Sequence, residues 1–232
     1  MKIASRQSPV SVPRARSAAA APAVHGFDMR LLASRATVFI VGLAIMAYGI
    51  VLIVQARFGA APWDVMHLGI VQLSGLSFGR VRQIVGLAVI TVACLMLRQW
   101  PTVGLIANML LVGEFCNWLV ALHLVPVATD IPRRIALFTA GLFVWGFGTG
   151  VYIQSKLGAG PRDLLMLAIH HRTGWPIRWV RTILEIAAVT AGICLSGPFS
   201  IGTIAFSFCI GHTTELGMKV AQRLLRSLTE PD

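Results

Sequence analysis

Mostly apolar stretches long enough to cross a bilayer recur along this chain, and no water-soluble core could bury them all. They fall at about Leu31–Gln55, Phe78–Leu97, Pro101–His123, Ile135–Ser155, Ile177–Leu195 and Ser200–Val220. A hydrocarbon core of roughly 30 Å takes about 20 such residues as a helix. Lipid offers the backbone no hydrogen-bond partner, so a spanning segment must satisfy itself, and a helix does so within one segment. The expected fold class is all-α: a polytopic transmembrane helical bundle.

Charge agrees. Only 12% of the residues are charged and 56% are hydrophobic, against about 25% and 45–50% in soluble domains. The net charge of +11 would suit nucleic acid if the basic residues shared one face. They gather instead at the ends of apolar runs, which excludes nucleic acid and makes the bilayer, with its anionic head groups, the expected partner. A homo-oligomer is compatible with such a surface. Residues 1–30, with Lys2, Arg6, Arg14 and Arg16 among Ala, Pro and Ser, lack the apolar region of a signal peptide. They read as a disordered basic cytoplasmic tail. Cys94, Cys116, Cys194 and Cys209 lie within apolar runs without C-x-x-C spacing. They read as small buried hydrophobes, giving neither a disulfide framework nor a metal site.

Two shorter apolar segments, Pro62–Ser74 and Pro161–His171, sit at matching places. Shifting the chain by about 99 positions superposes Arg35 on Arg134, Gly42 on Gly141, Gly49 on Gly148 and Gln55 on Gln154. It also superposes Pro62 on Pro161, Asp64 on Asp163, Gly75 on Gly174 and Val81-Arg82 on Val180-Arg181. Roughly 18 of about 63 positions agree without a gap. A one-residue slip then brings Gly104 onto Gly202 and Gly113 onto Gly211. Shared apolar composition does not put Gly, Pro, Asp, Gln and Arg in register. The organisation expected is repeat 1 over 31–125, repeat 2 over 133–224, and a cytoplasmic tail over 225–232.

About 13 residues make a helix of roughly 20 Å, too short to span. Each repeat then holds three spans plus a short re-entrant or interfacial helix, and an odd number of spans inverts the second copy. With both termini inside, roughly 15 Lys and Arg fall inside and roughly 5 outside, as the positive-inside rule asks. An eight-span arrangement scores about 16 against 4, so only the length argument separates the two.

The repeated element is Gly59-Ala60-Ala61-Pro62-Trp63-Asp64 and Gly158-Ala159-Gly160-Pro161-Arg162-Asp163. Gly permits the turn, Pro suits the first helical position, and Asp complements the positive end of the helix dipole. One reading is capping alone. The other is that two helix starts converge near the midplane, where irregular backbone must line a watery cavity. Asp64 and Asp163 are then ligands for a cation or amine, or proton carriers. The candidate binding residues are Asp64, Asp163, Pro62, Pro161, Gly59, Gly158, Arg162, Trp63 and Glu114. Glu114 is a mid-span acid, costly in lipid, which either binds or bonds a neighbouring helix. His67, one turn beyond Asp64, can hydrogen-bond it, whereas its counterpart is Met166. Arg181 and Glu185 are spaced to pair on one helix face. His170-His171-Arg172 reads as an interfacial basic cluster.

The paired motifs, with Arg172-Thr173-Gly174-Trp175, resemble the YczE/YitT-like family of bacterial integral membrane proteins over nearly the whole chain after the tail. Phe58, where a Leu is expected, and the longer tail depart from the pattern. The resemblance implies a multi-helix fold in the bacterial plasma membrane and supplies no reaction. No Gly-x-Ser-x-Gly, His-Glu-x-x-His or P-loop is present. The chain is therefore not expected to be an enzyme, to use a cofactor or to hold catalytic residues. The expected function is transport or binding of a small solute. The alternative is a regulatory or assembly membrane protein affecting production or export of a secreted metabolite.

Overall fold

The computed structural model describes residues 29–229, with side chains to Leu225. The N-terminal tail therefore lies almost entirely outside the described residues. Eight helices follow in order: α1 (Met29–Ala56), α2 (Pro62–Ser74), α3 (Phe78–Leu97), α4 (Val103–Ala121), α5 (Ile131–Gln154), α6 (Pro161–Thr173), α7 (Ile177–Cys194) and α8 (Ile201–Thr229). Among the described residues there is no strand.

Local chemistry explains most boundaries. α2 and α6 open on proline, and each closes on a left-handed glycine, Gly75 at φ 68° and Gly174 at φ 70°. Thr102 caps α4 by accepting from the Leu105 amide at 3.3 Å. α5 starts at Ile131 rather than Ile135, because Pro132 fits a first turn behind the extended Asp130. α8 runs past Val220, carried by helix-forming residues and a Lys219–Glu215 pair at 2.7 Å.

Among the described residues, four helices are long and apolar enough to cross a membrane: α1, α3, α4 and α5. Sequence reading expected six spans. α7, with 18 residues, carries Arg178, Arg181 and Glu185, and α8 is less apolar than the four. α2 and α6, with 13 residues each, are about 20 Å long.

α1 and α5 form the centre. Gly42 faces Tyr152, Met46 faces Gly148, Gly49 faces Trp145 and Ile53 faces Gly141. Numbers rise on one helix as they fall on the other, so the pair is antiparallel. A Cβ at any of the four glycines would run into the facing helix. In lipid the hydrophobic effect does not drive helices together; close packing at small residues does. Leu43, Ile50, Val51 and Ile53 of α1 are fully buried.

Two further helix pairs cross between the halves. α2 packs on α7 and α3 packs on α6. α8 runs parallel to α5, with Gly146 against Thr213 and Gly150 against Gly217. α3 and α4 share a tight seam at Gly79 and Gly113, and the Gly79 amide donates to Asn117 Oδ1 at 2.9 Å. α7 and α8 share no comparable seam. Gly211 on α8, matched to Gly113 by sequence, has open space where a side chain would stand. Cys116 is buried, but Cys194 and Cys209 are exposed on the outer surface, against expectation. No disulfide joins the four cysteines.

Candidate functional site

Two loops deliver the starts of α2 and α6 to one place. Gly59 has φ +151°, and its backbone lies so close to Gly202 and Thr203 at the start of α8 that a Cβ would stand 2.5 Å from the Thr203 nitrogen. The Ala60 amide donates to Thr203 Oγ1 at 3.3 Å, and the Ser200 hydroxyl donates to the Phe58 carbonyl. Gly158 lies against Gly104 and Leu105 at the start of α4 in the same manner. Each loop is thus pinned by the first turn of a long helix.

The helix starts then touch. Arg162 Nη2 stands 3.4 Å from Asp64 Oδ1, and its guanidinium lies over the Trp63 ring at 5.2 Å. Asp64 is 1% exposed. The same Oδ1 also meets His67 Nδ1 at 2.9 Å and Arg82 Nη1. Arg82 packs over Phe78. A carboxylate held by two guanidiniums and an imidazole is acceptor to all of them, and a further cation would compete with both arginines. Asp64 therefore does not cap α2; it clamps α2 to α3 and α6. The expected His67 contact is present, and so is the Arg181–Glu185 pair, at 3.1 Å.

Asp163 behaves differently. It is exposed, it makes none of the ion pairs found among the described residues, and its Oδ2 leans back over Gly160 at the helix start. Glu114 lies in the α3–α4 seam and accepts from Gln83 Nε2 at 3.1 Å, away from the meeting point. Pro62 and Pro161 occupy the first turns of their helices.

Two cavities flank the meeting point. The larger, about 340 Å³, opens between α7 and α8, within the size range of small-molecule sites. Its charged lining is Arg82, Arg162, Asp163, Arg181 and Glu185, and its aromatic wall is Trp63, Trp145, Tyr152 and Phe206. The smaller, about 60 Å³, lies between α3 and α4. Met46, Trp63, Arg82, Asn108, Pro161 and Arg162 line both. Their linings correspond by sequence. Met46, His67, Arg82, Val85 and Gly86 line the small cavity, and Trp145, Met166, Arg181, Leu184 and Glu185, each about 99 residues on, line the large one.

Sequence reasoning missed Arg82, Arg181 and Asn108 as site residues. Arg82 and Arg181 were visible as a matched pair, yet charge counting treats any arginine near a helix end as a flank. The arginines at 82, 162 and 181 stand at the cavity instead. Asn108 is 4% exposed, and its Nδ2 has no hydrogen-bond partner.

A family model described as "Family of unknown function (DUF6198)" matches residues 33–219. The "Uncharacterized membrane protein YczE" of Bacillus subtilis is 33% identical over 195 residues, which cover 84% of this chain and 90% of the relative. An "Uncharacterized protein" of Haemophilus influenzae is 30% identical over 194 residues, covering 81% and 85%. The "Uncharacterized protein YyaS" of Bacillus subtilis is 26% identical over 172 residues, covering 74% and 85%. No solved structure matches.

Proposed function

This chain belongs to the DUF6198 family of unknown function, and from that premise we propose that it is a membrane transporter that moves a small solute through the junction of α2 and α6. The observation carrying this reading is the pairing of the two cavities. Residues about 99 apart line a space of about 60 Å³ at the α3–α4 seam and one of about 340 Å³ at the α7–α8 seam. Two inverted repeats around one site would produce this when one seam is shut and the other parted. The antiparallel α1–α5 contact supports the inversion, because its contacts map onto themselves under the same shift: Gly42–Tyr152 becomes Ile53–Gly141, and Gly49–Trp145 becomes Met46–Gly148.

Transport then consists of exchanging the two seams. Closing α7 onto α8 would bring Gly211 into contact as Gly113 is now, and parting α3 from α4 would enlarge the small cavity. Interfaces of this kind switch between discrete packings rather than deforming continuously. α2 and α6 are re-entrant in this reading. The chain lies in the bacterial plasma membrane with both termini cytoplasmic, and it catalyses no covalent reaction.

Cysteine accessibility tests the reading. In a chain with its four native cysteines replaced, Thr214→Cys in the large cavity and Val85→Cys in the small one are labelled from each side of oriented vesicles. Alternating access expects Thr214→Cys to react from the α5 C-terminal side and Val85→Cys from the opposite side. Reaction of both from one side would remove the mechanism.

A further inference from the structure

The geometry points to a carboxylate-bearing small molecule as the ligand of this junction, its carboxylate held by Arg162 and Asn108 and its apolar body against Trp145 and Phe206. This rests on the transporter reading for the site's purpose, though not for its chemistry.

Three separate features at the junction seek an acceptor. Asn108 lines both cavities, and its amide nitrogen is buried and bonds to nothing. A buried donor left without a partner is rare, and its usual cause is a missing water or ligand. Arg162 is about a third exposed toward the cavity, and its contact with Asp64 at 3.4 Å is long for a charge-assisted bond. It keeps donors for a second acceptor, since a guanidinium has five. The first turns of α2 and α6 both point at this place, and neither Ala61 nor Gly160 has a side chain that caps the free amides. Helix starts of this kind favour negative charge.

The charges also limit the anion. Arg82, Arg162 and Arg181 are set against Asp163 and Glu185 in the lining, with Asp64 directly behind. The surroundings are near neutral, so a single negative charge gains from the local donors. A phosphate-like dianion would carry twice that charge into lipid depth, at a correspondingly greater cost. Trp145 and Phe206 meet at a tilt, ring centroids 5.0 Å apart, in the same lining as the arginines, an apolar wall with a polar end, which is the anatomy of a site for an amphipathic small molecule.

The test is binding by the full-length protein in detergent, followed by thermal unfolding and calorimetry. The probes are benzoate, 3-phenylpropionate and hexanoate, each with its neutral amide and matching amine, and phenyl phosphate. The expected result is that at least one carboxylate binds while its amide and amine bind about tenfold more weakly or not at all. Arg162→Gln and the nearly isosteric Asn108→Asp each lose about tenfold for the carboxylate, and Asn108→Asp shifts preference toward the amine. If Arg162→Gln does not fold, Asn108→Asp decides alone. Binding of amines or phenyl phosphate in preference, of no carboxylate, or of carboxylates equally by wild type and Asn108→Asp overturns the assignment. A carboxylate that binds as expected but does not cross proteoliposomes carrying the protein upholds the ligand class and overturns transport. A different solute that crosses, with no carboxylate bound, does the reverse.

Discussion

Replacing Asp64 by asparagine removes one charge from a buried cluster and leaves two guanidiniums facing each other. The structure sets the size of the effect. Asp64 is 1% exposed and the Arg82 side chain 12%, so this pair is shielded from water, whereas Arg162 is 31% exposed and contributes less. Removing one partner of a buried pair costs about 3–5 kcal/mol, because the other charge is left without compensation. Discounting Arg162, we expect about 3 kcal/mol. At about 2–4 °C per kcal/mol for a chain of this size, the unfolding midpoint in detergent falls by roughly 6–12 °C. Asp64→Leu combined with Arg82→Met removes both buried charges. It recovers at least about half of the loss, since an apolar pair of similar volume replaces a buried ion pair at little cost. A shift under about 2 °C for Asp64→Asn, or a double mutant as unstable as the sum of its singles, would refute the clamp.

Asp163→Asn, despite its matching motif position, breaks no close ion pair and loses the attraction of the α6 dipole and of Arg162 and Arg181 across the cavity, about 1 kcal/mol by the same unfolding assay; a loss equal to that of Asp64→Asn contradicts the asymmetry. Gly113→Ala forces a Cβ to 2.6 Å from Gln83 Cγ, whereas Gly211→Ala meets nothing. The first therefore destabilises by about 1–3 kcal/mol and the second leaves the midpoint unchanged, and equal midpoints contradict the open α7–α8 seam. Gly49→Val drives a side chain into the Trp145 backbone and yields protein that aggregates in size-exclusion chromatography; a monodisperse peak would show that the α1–α5 contact tolerates separation. A fluorescent reporter fused after Asp232 lights up and an alkaline phosphatase fusion stays inactive if the C-terminus is cytoplasmic; the opposite pattern reverses the orientation.

Legibility follows range. The short helices could be bounded in the sequence because proline before them and glycine after them act within one turn, and the observed limits of α2 are Pro62 and Ser74. The His67–Asp64 and Arg181–Glu185 contacts were readable for the same reason, being three and four residues apart. The clamp was not readable. Asp64 takes Arg82 from 18 residues on and Arg162 from 98 residues on, and no local rule says which arginine leaves its helix end for a buried acid. Asn108 was hidden for a related reason. A polar residue in an apolar run reads as a bond to a neighbouring helix, and only coordinates reveal that its amide nitrogen has none.

The difference between Trp63 and Arg162 has a physical cause in the duplication itself. Two matched motifs that meet bring equivalent side chains face to face. Two arginines there would repel at low dielectric, and two tryptophans would leave Asp64 without its second guanidinium. One of each gives a cation–π contact at 5.2 Å and supplies the charge that Asp64 accepts. The same choice leaves Asp163 facing a tryptophan's position rather than an arginine's, and with Arg181 taken by Glu185 at 3.1 Å, Asp163 makes none of the ion pairs found among the described residues and stays in the cavity lining. A duplicated helix start thereby becomes two different acids, one fixing the junction and one open to whatever enters it. Arg162→Trp restores the symmetry of the pair and tests this account. It should free Asp64 from α6 and lower stability, and Trp63→Arg in the same chain should restore it by placing a guanidinium beside Asp163.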